Sequence, residues 1–263
     1  MANFLNYRNI DFKVNDSVFY ADQINLSAQA SVSPVVLDDG TLLNYAPDSA
    51  VVGSLNFDFY LTSAIPSFLN VTGTDESAVK ISFAGIEIDR CYVKNLSFNV
   101  EPFQPILFSA EFDWYGDVGL ENFESQSEGE RKAKSVPNYI AHAYDSSIDK
   151  DNLDIGNIIS FSYQSSCERP AFFNVDSLVP FRVAKLNKFC EVGLSSNNLG
   201  DMIKINGKNA QTSVSIKDFY GTLIETFNVS GIMSRQNYSV SNNSYLLSET
   251  SIEQTIAEPK TLV

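Results

Sequence analysis

One histidine, one tryptophan, three methionines and three cysteines are spread over 263 residues. The shortage of histidine narrows the chemistry first. His142 lies in the run Tyr139-Ile-Ala-His-Ala-Tyr. A lone imidazole builds no usual zinc site unless scattered cysteines or carboxylates complete it. A Cys–His pair with Cys91, Cys167 or Cys190 is the one nucleophilic arrangement left to look for, against a histidine that is only packed or exposed in a linker. G-x-S-x-G, the P-loop and G-x-G-x-x-G are all missing. The expectation is a protein that is not an enzyme, with no catalytic, cofactor-binding or metal-binding residues to assign.

An odd number of widely spaced cysteines does not make a disulfide framework. They read as reduced, buried thiols of a protein made in a cytosol. The start, Met1-Ala-Asn-Phe-Leu-Asn-Tyr-Arg, lacks the basic flank and apolar run of a signal peptide. No uncharged apolar run approaches the ~20 residues of a membrane span, so no membrane is expected. Six N-x-S/T matches, at Asn25, Asn70, Asn95, Asn228, Asn237 and Asn242, then follow from strands and turns rich in Asn, Ser and Thr.

Positive charge is scarce as well: 18 basic against 32 acidic residues, a net charge of −14. That excludes a broad cationic stripe for nucleic acid. Acidity ordinarily serves solubility; it also suits a surface that nucleic acid passes without sticking. Helix formers are thin over most of the chain, and the polar positions go to Ser, Asn and Thr.

What is present is alternation with period two, together with 19 Phe and 12 Tyr. Leu55, Phe57, Phe59 and Leu61 share one face of a strand. Val79, Ile81 and Phe83 repeat the pattern, and Gly85 marks a bend before Ile86 and Ile88. Leu96, Phe98 and Val100, then Ile106, Phe108, Ala110, Phe112 and Trp114, flank a turn with Pro102 and Pro105 and predict a long hairpin. A shorter hairpin is predicted around Asn15-Asp16. Beyond residue 155 come Ile159, Phe161 and Tyr163, then Val179, Phe181 and Val183, then Val214 and Ile216, then Phe227 and Val229. A last hairpin runs from Tyr238 and Val240 through Asn242-Asn243 to Tyr245 and Leu247, and the tail beyond Glu258 is expected to fray.

Alternation stops over 121–154, which is polar and acidic. The expectation there is a linker or arm, with a short helix over 121–134 and loop for the rest. Asp149-Lys-Asp-Asn-Leu-Asp-Ile-Gly only partly matches a calcium loop. Its third acid and its glycine come late, and Ser160 stands where the closing Glu belongs. A solvated acidic turn is expected, with an irregular cation site at 145–154 left open. Acids elsewhere mostly fall on outward strand faces or turns, and Tyr60 and Tyr115, expected to be exposed, could stack on sugars, although outward Tyr on strands is ordinary.

The halves also share an order of features. Matching Ile24-Asn25 to Leu186-Asn187 brings Asp58-Phe-Tyr nearly into line with Asp218-Phe-Tyr, with a hairpin following at Asn95 and at Asn237. The predicted fold class is therefore all-β: two tandem related β-barrel or sandwich domains, 1–120 and 155–263, joined by the acidic linker 121–154.

Asp89-Arg-Cys-Tyr-Val-Lys-Asn-Leu-Ser-Phe-Asn-Val, a short turn and Pro105-Ile-Leu-Phe-Ser-Ala-Glu-Phe-Asp-Trp-Tyr-Gly together resemble the inner-sheet hairpin of bacteriophage tail tube proteins. Phe227-Asn-Val-Ser-Gly-Ile-Met through Tyr245-Leu-Leu-Ser-Glu-Thr-Ser-Ile is similar in outline. The resemblance covers roughly Asp11–Val118 and Ile158–Thr255 and is one of pattern. It implies a virion structural protein, assembled in the host cytoplasm, that forms homo-oligomeric rings and contacts other tail proteins. Doubled members of the family form trimeric rings with pseudo-six-fold symmetry. DNA passes the lumen during ejection without specific binding, and the 121–154 arm is implied to contact a neighbour. The alternative is a β-sandwich binding module for capsid decoration or carbohydrate.

Overall fold

The computed structural model describes residues 12–29, 31–47, 50–83, 85–116, 118–120, 139–151, 157–197, 209–240 and 247–256. Strands account for 67% of these residues, and no α-helix occurs among them, so the protein is all-β. In chain order the strands are β1 (Phe12–Val14), β2 (Ser17–Phe19), β3 (Ala21–Gln29), β4 (Val32–Val36), β5 (Leu42–Pro47), β6 (Val52–Tyr60), β7 (Val79–Phe83), β8 (Ile86–Val100) and β9 (Leu107–Tyr115). They continue as β10 (Gly119–Leu120), β11 (Ser146–Asp151), β12 (Ile158–Glu168), β13 (Ala171–Phe172), β14 (Arg182–Val183), β15 (Leu186–Ser196), β16 (Asn209–Lys217), β17 (Leu223–Ser239) and β18 (Leu247–Ile256).

The alternating apolar positions face inward as the period-two pattern requires. Leu55, Phe57, Phe59 and Leu61 are buried, as are Phe98, Phe108, Phe112 and Trp114. The predicted hairpins form: β1 pairs with β2 around a turn in which Asn15 has φ 51°, β8 with β9 and β17 with β18. Gly85, φ 77°, turns β7 into β8. In the first half the neighbour order is β3-β6-β9-β8-β7-β1-β2. The sheet bends back on itself, because the Phe12 ring of β1 lies 4.3 Å from that of Phe57 on β6, several strands away.

The second half has the order β12-β15-β18-β17-β16-β11. Taken strand for strand against β3-β6-β9-β8-β7-β1, both the neighbour order and the chain order agree. The bulges agree too. Asp22 is the unpaired residue between Ala21↔Phe59 and Gln23↔Asp58; Ile159 is the unpaired residue between Ile158↔Ser196 and Ser160↔Ser195. Each half also carries a small separate two-stranded ladder in the same place, β4–β5 between β3 and β6, and β13–β14 between β12 and β15.

The halves join edge to edge. β12 pairs antiparallel with the end of β8, Phe161 opposite Val100 through Ser166 opposite Asn95. One 14-stranded sheet therefore runs through both.

Several expectations are corrected. The sheet does not close into barrels: among the described residues its end strands do not pair with each other. Ser146–Asp151, expected as loop, is β11, held by six register pairs to β16; its serines and Ile148 suffice for an edge strand despite the acids. Ile159 is exposed, out of phase with Phe161 and Tyr163, because the bulge at Ile159 shifts the alternation there. Val179–Val183 is mostly irregular, with Phe181 exposed and only β14 paired. The residue matching of the halves is also revised: Asp58-Phe-Tyr lies within β6, whereas Asp218-Phe-Tyr forms the turn between β16 and β17, with Phe219 and Tyr220 exposed. Similar tripeptides arise readily in aromatic-rich strands and turns, so composition misled the alignment. The helix expected over 121–134, the turn at Asn242-Asn243 and the tail beyond Glu258 lie outside the described residues.

Candidate assembly interface

The surface where β8 meets β12 has the features of a specific interface. Along it Phe161, Tyr163 and Ser165 of β12 and Leu96, Phe98 and Val100 of β8 are buried on one face. Phe227 of β17 folds over the join, its ring 4.6 Å from Phe98 and 4.9 Å from Tyr163. Such packing of large aromatics contributes most of the energy at an interface core. Ser165 Oγ donates to the Leu96 carbonyl at 3.3 Å. A cleft of about 200 Å3 remains beside it, lined in part by Leu96, Tyr163, Ser165 and Glu225. Glu225 accepts from the Ile65 backbone N–H at 3.2 Å, again across the halves.

The segment leaving β12 ties the join with buried cations. Arg169, 6% exposed, donates from Nε to the Val93 carbonyl at 2.7 Å, and its guanidinium sits 5.9 Å from the centre of the Tyr92 ring. Tyr115 donates to the Arg169 carbonyl at 3.4 Å and its ring meets Phe173 edge-on. Lys185, 1% exposed, donates from Nζ to the carbonyls of Asn70 and Asp75 at 2.8 and 3.1 Å. Burial, with Arg169 nearby, pulls its pKa down to about 8. The Lys185 backbone N–H and the exposed Arg182 both engage Glu76.

The outer face of the eight strands β3-β6-β9-β8-β12-β15-β18-β17 is polar. Cross-strand partners share a face, so the register places Asp58, Glu111, Asp113, Glu191, Glu249 and Glu253 together on the side opposite the buried rows. Lys94, the bulge residue of β8, lies 3.6 Å from Glu111 and 3.4 Å from Asp113. Burial raises the Asp113 pKa and Lys94 opposes the shift. Arg235 bonds Ser251 Oγ at 3.4 Å.

The residues weighed for chemistry do not converge. His142 stacks on Tyr144 with ring centres 5.3 Å apart and bridges Pro105. Asp145 accepts from the Tyr139 hydroxyl and from the His142 backbone N–H. All three cysteines are free and buried. Cys91 faces the Ile88 carbonyl, Cys167 the Val93 carbonyl and Cys190 the Tyr163 hydroxyl. Burial raises all three thiol pKa values, which holds them as unreactive thiols. Of the acidic run, Asp149 and Asp151 lie in β11 and Asp154 is outside the described residues. Among the described residues no group of three or more His, Cys, Asp or Glu is placed to hold a metal.

Arg169, Lys185 and the β8–β12 register were not legible in the sequence. The one available signal was Ser165, a small polar residue on the inward row of β12. No known protein family model matches the chain, and no curated protein sequence matches it.

Proposed function

We propose that this chain is a bacteriophage virion structural protein, a tail tube or tube-like tail component. Its two halves act as two related β domains, and copies assemble into rings whose lumen conducts DNA. The edge-to-edge joining of two units with one strand order carries this reading. A unit that pairs with its own like through a strand edge is already built for serial assembly. The polar outer face of the eight-stranded sheet supplies the lumen. Its carboxylates Asp58, Glu111, Asp113, Glu191, Glu249 and Glu253 outnumber Lys94 and Arg235 there. That balance repels phosphate, so DNA slides past without binding. Inward rows of Phe, Leu and Val hold the wall rigid.

Negative-stain electron microscopy of the purified protein at high concentration, alone and with partner virion proteins, tests the proposal. Rings or stacked tubes with a central channel are expected. A protein that stays monomeric under all these conditions, or one that instead binds glycans or capsids as a compact monomer or trimer, would overturn it.

A further inference from the structure

The internal join between β8 and β12 uses one edge from each half and leaves the corresponding two edges without a strand among the described residues. β12 lies between β15 and β8, whereas its counterpart β3 pairs, among the described residues, with β6 alone. β8 carries β12 on the edge beyond β7; the same stretch of β17, beyond β16, carries no strand among the described residues. Side-chain burial follows. Phe161, Tyr163 and Ser165 of β12 are buried, but their counterparts Ile24 and Leu26 are half-buried and Ala28 is exposed. Val100 at the end of β8 is buried, and its counterpart Val240 is exposed.

We infer that β3 of one copy pairs antiparallel with the edge formed by Arg235–Ser239 of β17 and the following Val240 in a second copy, repeating the internal join. Resting on the self-assembly proposed above, this names both strands and their register. The matching bulges fix the correspondence: Ile24 takes the place of Phe161, and Val240 the place of Val100. Ile24 then stands opposite Val240, Asn25 opposite Ser239, Ser27 opposite Asn237 and Gln29 opposite Arg235.

Two further observations favour this edge and this partner. Other edges of the sheet are blunted: β2 has three residues, and β11 carries Asp149, Lys150 and Asp151 in its last three positions. β3 runs nine residues without proline or lysine, its one charge sitting at the bulge. A long unprotected edge of this kind pairs with another chain unless it is covered. The second observation is the β4–β5 arm that follows β3. Its counterpart, the segment after β12, is what locks the halves together through Arg169 and Lys185. Val32, Val36, Leu42, Leu43 and Tyr45 of the arm are exposed, and the repeated join carries them onto the β17–β18 side of the second copy, where that apolar area becomes buried. The contact is head-to-tail, so it propagates into a ring or, if the rotation does not close, a filament.

The test is a pair of cysteines in one chain, Ser27→Cys with Asn237→Cys. Both positions are exposed, and the native thiols are buried and do not compete. Mild oxidation is expected to give a ladder of covalent oligomers on a non-reducing gel. Either single substitution, and the displaced pair Asn25→Cys with Asn237→Cys, should link at least tenfold less. A second variant, Ala28→Arg, puts a charge where the internal join buries Ser165, 1% exposed. Ala28 is exposed in the single chain, so the melting temperature of the unassembled protein should hold while assembly is lost in sedimentation. Wild-type particles that form without the Ser27–Asn237 link and persist in Ala28→Arg would overturn the register while leaving self-assembly standing. A wild-type chain that never assembles would overturn both.

Discussion

Lys94 in β8 and Ser234 in β17 occupy the same position in two corresponding hairpins. Each is the unpaired residue of a bulge, Lys94 between the pairs Val93↔Phe112 and Asn95↔Glu111, Ser234 between Met233↔Ile252 and Arg235↔Ser251. A bulge bends its strand and increases the local twist. With the bend at the same rung, the end of β8 and the end of β17 present similar edges, one covered by β12 within the chain and one carrying no strand among the described residues.

Arg169→Ala removes a charged donor from a buried carbonyl of Val93. The lost bond and the stranded carbonyl together should cost about 2–3 kcal/mol. Urea denaturation should show the drop, and a second transition should appear as the halves lose their tie. An unchanged single transition would contradict the role of Arg169 as the tie.

Gly53 lies under the indole of Trp114, and a Cβ there would come within 1.9 Å of the ring. Gly53→Ala must therefore displace the largest side chain of the first-half core, at a cost of about 3 kcal/mol. Trp114 is the only tryptophan and is buried, so its emission reports the change directly. A red-shifted folded-state spectrum and a lower urea midpoint are expected.

Phe103 sits at the second inner position of the turn closed by the Gln104 N–H and the Glu101 carbonyl, with φ 66° and 95% of its surface exposed. Following Pro102, this is the geometry of a type II turn, which prefers glycine there. Phe103→Gly should raise stability by about 1 kcal/mol, since the left-handed strain is relieved and no packing is lost. A fall in melting temperature would mean that the ring makes stabilising contacts.

Lys185 gives stability a pH signature. Its pKa is about 8 in the folded protein against 10.5 for an ordinary lysine. Between those values the unfolded chain binds more protons, so the contribution of Lys185 rises with pH. The buried thiols act the other way. Their folded pKa values lie above 9.0, so the stability they contribute is full below that and lost as pH climbs past it. The urea midpoint should rise from about pH 7.5 to about 8.5, a range below the ordinary thiol value in which Lys185 is the group that titrates. In Lys185→Met that rise should vanish.

Period-two alternation in the sequence determined the strands that one face buries, because the pleat turns every second side chain to the same side. Leu55 to Leu61, Leu96 to Val100 and Ile106 to Trp114 were legible on that ground alone, and so were the hairpins at Asn15 and Pro102. That the three cysteines are free and buried was also readable as an expectation from their odd number and wide spacing. Tertiary structure decided the rest. Pairing between β8 and β12 joins residues far apart in the chain, and any polar-outside, apolar-inside strand of suitable length satisfies an edge equally well. No local pattern selects the partner. The bulges at Asp22, Lys94, Ile159 and Ser234 shift the phase by one residue without a distinctive residue type, so strict alternation places Ile159 on the wrong face, and similar tripeptides in aromatic-rich strands and turns misdirect the matching of the halves. Nothing in the local sequence marks Arg169 and Lys185 for burial, which comes from the join. Which strand edges another strand covers depends on the sheet order of the whole chain, and only the folded chain contains it.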